Sequence, residues 1–376
     1  MLEVRLVETA ADARLFAELP YRLYADNPYW VPPLRADECA LFDEGRNPAL
    51  AFCDVARWVA LADGKCVGRV AAIVNPLWNE KSGGKTGRFS RFECTDCQAV
   101  AHVLLREAER WLAVRGMERV AGPLGFSNLD QQGFTTFGHD REAALGSSLT
   151  LPHYVRLIEA EGYEPLQGWN EYRITVPRQM PPKVSVVADS ARGKFGLGVV
   201  SLRDTGDVRR IAPAVMELFN TAFDPLFGTY RFSDEMKAFY VERFMPMLDP
   251  RLVVAVEDRL VASRPLVGFL VAIPSVTKAL RKAKGSVGLL DACNIWMERR
   301  HAHEAEILLA AVLPEARRRG ALSLMVEAII NAFNERGITA VETTAILDGN
   351  DRAANLVKMF HSERHKQKWC YVKRIA

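Results

Sequence analysis

Between Ile307 and Leu322 the chain reads ILLAAVLPEARRRGAL. An apolar run suited to a buried strand meets three arginines and a glycine, and an amphipathic pattern over 320–335 predicts a helix that starts at once. A junction of this kind leaves backbone N–H groups without partners, and the helix dipole adds a partial positive charge. Together they suit an anion such as a pyrophosphate. Gly320 permits close approach of the backbone to a ligand. One or two of Arg317, Arg318 and Arg319 would add direct phosphate contacts. Taken alone, the same residues also fit a solvated turn. The apolar strand before and the amphipathic helix after are what a phosphate loop requires.

The elements that must position this loop repeat in two halves. Residues 55–62 and 66–74 are apolar, β-branched runs separated by Asp63-Gly64, a hairpin signal. Residues 98–115 carry helical spacing and stop at Gly116. A strand is expected over 118–122, a short helix over 153–161 ending at Gly162, and a strand over 169–176. Pro177, Pro181, Pro182, Gly193, Gly196 and Gly198 then interrupt both periodicities and mark a junction. Beyond it come paired strands over 251–257 and 265–273, a strand over 306–313, and the helix over 320–335. A strand over 339–347, a helix over 351–360 and a final strand over 367–375 follow. The order repeats without sequence similarity between the halves.

The chain has 376 residues, 49% hydrophobic and 25% charged, with a formal net charge of +3. That length suits two domains, and a charge so small gives no argument for a nucleic-acid partner. The N-terminal residues lack a signal-peptide pattern, and no apolar run approaches a membrane span. A cytoplasmic protein is expected, with a peripheral contact to the inner membrane compatible with the sequence. Of seven cysteines, Cys94 and Cys97 form a CxxC with no second ligand pair, so no metal is expected. The basic tail (His361, Arg364, His365, Lys366, Lys368, Lys373, Arg374) fits a solvated face, an anionic surface or an adenosine phosphate. Phe219, Phe223, Phe227, Tyr230 and Phe232 fit a core or an acyl tunnel.

With Val312, Pro314, Arg317 and Gly320 in place, the second half resembles the GCN5-related N-acetyltransferase (GNAT) superfamily, whose loop is Arg/Gln-x-x-Gly-x-Gly/Ala after a Val-x-Pro lead-in. Leu322 stands where the family has a small residue. Asn350, Arg352 and Ala353 match its Asn-x-x-Ala, and Val357 stands where it often has an acid tyrosine. The resemblance assigns acyl-coenzyme A binding to Val312, Leu313, Arg317, Arg318, Arg319, Gly320, Ala321, Leu322 and Asn350. The first half resembles a degenerate copy, with Thr95-Asp96-Cys97-Gln98 in place of the loop and a matching segment from His153 to Tyr163.

DNPYWVPP (26–33), Asp63-Gly64 through Gly68-Arg69, and GPLGFSNLDQQG (122–133) further resemble a bacterial family of tandem acetyltransferase-fold proteins. Relatives in that family include ceramide synthases, which move a long acyl chain from a thioester to a sphingoid amine. The implied fold is α/β (α+β): two tandem GNAT-like domains, each a mixed, mostly antiparallel central sheet flanked by helices. The first covers 1–180, a junction 181–198, and the domain with the acyl-CoA site 199–376.

The implied chemistry is N-acyl transfer to a small-molecule or lipid amine, with the strand over 306–313 offering a backbone N–H to the thioester carbonyl. Glu342, Glu306 and His361 are candidate bases, and Tyr230 and Tyr371 candidate acids. Asp130, His139, His153 and Tyr154 are candidates for lining an acceptor channel, with Asp130 equally suited to capping a turn. Two alternatives stay open: a Fem-type aminoacyl transferase fed by charged transfer RNA, and a non-catalytic acyl-CoA-binding protein.

Overall fold

The computed structural model describes residues 1–375, the side chain of Arg352 excepted, so Ala376 and the arginine of the Asn-x-x-Ala motif lie outside the described residues. The first half contains β1 (Leu2–Leu6), α1 (Ala10–Leu23), α2 (Arg35–Ala40), β2 (Asp54–Ala62), β3 (Lys65–Val74), α3 (Pro76–Ser82) and β4 (Thr86–Cys94). It continues with α4 (Gln98–Val114), β5 (Arg119–Gly122), β6 (Phe134–Phe137), α5 (His153–Ala160) and β7 (Glu164–Thr175). The second half contains α6 (Pro182–Gly193), β8 (Leu197–Val199), α7 (Thr205–Phe223), α8 (Asp234–Phe244), β9 (Val253–Asp258), β10 (Leu266–Pro274), α9 (Thr277–Ala283) and α10 (Leu289–His301). It ends with β11 (Glu304–Val312), α11 (Pro314–Arg318), α12 (Ala321–Glu335), β12 (Ala340–Thr343), β13 (Ile346–Leu347), α13 (Asp351–Lys358) and β14 (Ser362–Arg374).

Local chemistry accounts for the elements that the sequence marks. Asp63 and Gly64 both have positive φ (48° and 78°), the conformation a two-residue hairpin between β2 and β3 demands. Helix α4 buries Val100, Leu104, Leu105, Ala108 and Leu112 on one stripe.

The strands form one continuous sheet in the order β1-β2-β3-β4-β5-β14-β7-β12-β11-β10-β9-β8, with β6 against β14 and β13 against β7. All neighbours are antiparallel except β4–β5 and β11–β12. The two halves exchange their last strands. β14, from the end of the chain, pairs with β5 and completes the first half's sheet. β7, from the first half, pairs with β12 and extends the second half's sheet. The two meet over a long antiparallel register, from Ser362 opposite Ile174 to Val372 opposite Glu164. Under α4 and α5 lies one core (Phe89, Phe92, Leu104, Phe134, Tyr154), and under α12 and α6 another (Leu324, Ile329, Phe333, Ala188, Val256). A third, with Trp78, Phe126, Phe219, Tyr240 and Phe269, draws on both halves.

Residues 181–198, expected as a junction, are mostly helix α6. Its prolines sit at the start, where the missing N–H has no partner to lose, and Gly193 ends it. Val184, Ala188 and Ala191, at helical spacing, are buried. Strand β4 escaped the sequence pattern because both its faces are covered and it carries buried Arg88 and Arg91.

The exchange predicts that neither half folds alone. Fragments 1–180 and 181–376 should each lack a cooperative urea transition by circular dichroism and regain one when co-expressed. A cooperative transition in fragment 1–180 by itself would contradict this.

Candidate active site

β11 and β12 pair only from Glu304 opposite Ala340 to Ile307 opposite Thr343. Thr344 still donates its N–H to the Ile307 carbonyl (3.0 Å) and its hydroxyl to the Leu308 carbonyl (2.9 Å). The chain then turns away, and β13 joins β7. The register with β10 slips between Val271 and Ala272, which leaves Leu308 as an extra residue on β11. β11 runs on to Val312, so its far edge has no strand partner, and a cleft opens between the strands.

A cavity of about 1270 Å³ passes through this cleft. Ile307, Leu308, Leu309 and Ala310 of β11 line it, with Val326, Ile330 and Phe333 of α12 and Leu356 and Val357 of α13 on one face of the sheet. On the other face, Ile211, Ala212 and Val215 of α7, Tyr240 and Phe244 of α8, and Leu129 line it. α9 and α10 cover its mouth with Leu280, Ile295 and Trp296. The volume exceeds the roughly 300–1,000 Å³ of ordinary small-molecule sites, and the wall is mainly apolar.

At the end of β11, α11 leads into Gly320, with φ 84°, and α12 starts at Ala321 without a side-chain cap. Among the described residues the N–H groups of Ala321, Leu322 and Ser323 have no backbone or side-chain acceptor, which suits an anion. The three arginines differ. Arg317 donates from Nε to the Val312 carbonyl at 2.8 Å. Arg319 bridges Asp258 and the Phe195 carbonyl, and that carboxylate raises its pKa. Arg317 and Arg318 are both exposed and make no ion pair among the described residues; Arg318 has no hydrogen bond there and Arg317 uses only its Nε, so both are left for a phosphate. A Cβ at Gly320 would lie 3.0 Å from the Val187 carbonyl, so α6 packs directly on the loop. Val312 is buried, and Leu313 packs on the same core. Leu322 packs with Val184 and Val326. Asn350 caps α13, accepting from the Ala353 N–H at 3.3 Å, and lines the cavity beside Val357.

Behind the cavity wall lies a group of buried charges. Lys366 of β14 is ion-paired with Glu342 of β12 and stands 3.4 Å from Glu171 of β7. Lys368 lies 3.6 Å from the other oxygen of Glu171, and both hydrogen-bond Ser147. Lys366 also donates to the Glu142 carbonyl at 2.8 Å. Glu306 of β11 accepts from the Gly146 N–H at 3.3 Å, and its Oε1 has no partner among the described residues. Gly146, Ser147, Thr343 and Lys368 line the cavity. Burial, then repulsion from Glu342, pushes the Glu306 carboxyl up to about 8. Burial raises Glu342 to about 7 against the pull of Lys366. His365, 3.8 Å from Glu342, is lowered to about 4 by burial and by Lys366, and so is neutral at pH 7. In the sequence Lys366 and Lys368 belong to a basic tail, and neither Glu171 nor Ser147 carries a local signal. Exchange of β14 into the sheet centre puts both lysines inside.

Other expected site residues fall elsewhere. Tyr230 belongs to the core, with Phe52 and Phe232 rings at 5.9 and 5.5 Å, and is no acid at the cleft. Tyr371 is buried in the first half's core. His361 is exposed, and among the described residues only its carbonyl is engaged, by the Thr175 N–H. Asp130 lines the cavity, bonded to the Ser127 N–H (3.0 Å), Tyr240 and Arg243. The other channel candidates do not join it. Helix α5 docks Tyr154 into the core and points His153 at the Cys94 carbonyl (3.0 Å), while half-buried His139 lies off the wall.

Residues 212–361, which include β11, the loop at Gly320 and α12, match the acetyltransferase (GNAT) family. The second half is a GNAT domain. GNAT enzymes take their acyl group from a coenzyme A thioester, and the chain is an acyltransferase. It is 25% identical to protein YghO of Escherichia coli over 381 residues, 99% of this chain and 95% of that protein. It is 26% identical to the bacterial ceramide synthase of Caulobacter vibrioides over 290 residues, 76% of this chain and 73% of that one. A tandem GNAT protein from the clavulanic acid biosynthesis pathway shares the whole fold, with TM-score 0.58 at 13% identity over 100% of this chain and 99% of its own.

Two outcomes are expected. Arg319→Ala leaves buried Asp258 unpaired and should lower stability by about 1–3 kcal/mol in urea, whereas Arg318→Ala should not. Glu306 holds a proton in the folded chain that the unfolded chain gives up above about pH 4.5, so its contribution to stability falls as pH rises from there through about 8. Glu306→Gln should remove that decline. A variant whose midpoint still falls with wild-type slope over this range contradicts the assignment.

Proposed function

We propose that the protein is an acyl-CoA-dependent N-acyltransferase that moves a long acyl chain to the amine of a lipid of sphingoid type. The observation that carries this reading is the continuous apolar cavity of about 1270 Å³ running through the β11–β12 cleft to both faces of the sheet. The free N–H groups of Ala321–Ser323 and the exposed Arg318 hold the pyrophosphate at one end. The thioester lies along the open edge of β11, where a backbone N–H near Leu308 polarises its carbonyl. The acyl chain fills the space beside α7 and α8. The similarity to a ceramide synthase supports a lipid acceptor.

The amine nitrogen attacks the carbonyl carbon, a C–N bond forms, and the C–S bond breaks to release thiolate. Glu306, directly behind the wall at Ile307 and Gly146, is the base in this reading and takes the proton that the nitrogen loses. A base with a pKa of about 8 matches that task near neutral pH. Glu342 is less suited, because Lys366 holds its carboxylate. A thiolate with a free pKa of about 8.5 leaves without an acid, so Val357 in place of a tyrosine is no obstacle.

Glu306→Gln should lower kcat by about 10²–10⁴-fold with little change in KM for the donor, and wild-type kcat/KM should rise with pH through about 8. Ala212→Trp, which fills the cavity beside α7, should abolish the thermal stabilisation by palmitoyl-CoA and preserve that by coenzyme A. Equal stabilisation of wild type by coenzyme A, acetyl-CoA and palmitoyl-CoA would remove the long-chain reading.

A further inference from the structure

The segment between β10 and β11 leaves the sheet as α9 and α10 and returns over the cavity mouth. α10 buries none of its residues. Its outer side carries Leu289 and Leu290, 93% and 82% exposed, and Trp296 and Met297, 56% and 51% exposed. At spacings of one, seven and eight they share one helical stripe, with exposed Cys293 between them. The inner side is held by polar contacts: Arg299 donates to the Pro246 carbonyl at 3.0 Å, and Glu298 accepts from the Lys278 and Ala279 N–H groups. The apolar stripe is therefore turned outward on a helix anchored by its polar side.

Basic residues surround the stripe. Residues 277–301 contain six Lys or Arg (Lys278, Arg281, Lys282, Lys284, Arg299, Arg300) against Asp291 and Glu298, more excess charge than the whole chain carries. Lys282, Lys284 and Arg300 are exposed. We infer that α10 docks on the surface of an anionic lipid bilayer, with Leu289, Leu290, Trp296 and Met297 in the acyl boundary and the flanking lysines and arginine against the headgroups. An apolar stripe rimmed by Lys and Arg is the composition of a helix that lies in a membrane interface, whereas Lys is depleted at protein interfaces. The placement fits the same partner: Ile295 and Trp296 of this helix roof the cavity, so a docked α10 opens it toward the bilayer. Only that direction of substrate passage rests on the proposed function; the docking itself does not.

The test is co-sedimentation of the full chain with vesicles of phosphatidylcholine, with and without phosphatidylglycerol. Wild type should partition onto the anionic vesicles and much less onto the neutral ones. Leu289→Ser/Leu290→Ser/Met297→Ser, residues outside the cavity wall, should keep the wild-type melting temperature and lose vesicle binding roughly tenfold or more. Lys282→Glu/Lys284→Glu should lose the preference for anionic vesicles. No binding by wild type, or equal binding by the serine variant, overturns the inference. So does a wild-type dimer that the serine variant dissolves with no vesicle binding, since α10 then covers a second copy. Because the assay contains no donor or acceptor, failure of the proposed reaction leaves its result readable.

Discussion

At the centre of the molecule, Glu171 is ion-paired with Lys366 and Lys368 across the two exchanged strands. Glu171 comes from the first half's last strand and the lysines from the second half's, and all three are buried. Desolvation opposes each charge. The lysines outweigh it at Glu171 and hold its pKa down, whereas at Lys368 burial prevails and lowers the pKa. Removing one partner of such a pair costs about 3–5 kcal/mol because the other is left buried and charged. Register follows from this: a one-residue slip of β14 would turn both lysines to the opposite face.

The same charges position the site. Lys366 holds the Glu142 carbonyl and Lys368 holds Ser147, which fixes the 142–148 segment of the first half against β11 of the second. Gly146 then presents its N–H to Glu306. The first half supplies one wall of the cavity and the N–H that Glu306 accepts. In the proposed site, the second half thus depends on the first for part of its wall.

Much of this was legible in the sequence, and the reasons for the remainder are specific. The Asp63-Gly64 hairpin, α4 and the strand–loop–helix around Gly320 have local causes and read directly. The Arg317–Arg319 run was readable as basic, but the withdrawal of Arg319 into an ion pair, with Arg317 and Arg318 left exposed, depends on Asp258 and Phe195, which only folding brings near. Glu306 and Glu342 were visible as candidates on neighbouring strands, and parallel register places them opposite each other. Lys366 and Lys368 looked like a solvated tail because strand exchange leaves no local mark. Tyr230 and Tyr154 have the right chemistry and the wrong surroundings, since aromatic packing decides both.

The central claim is that a long acyl chain threads the β11–β12 cleft and ends beside α7 and α8. Photolabelling with a fatty acyl-CoA bearing a diazirine at its terminal carbon, followed by peptide mass spectrometry, tests it directly. The account predicts labels within 208–216 and 239–248, lost on competition with palmitoyl-CoA. Labels confined to the outer surface, or spread over the chain and unaffected by competitor, would contradict it.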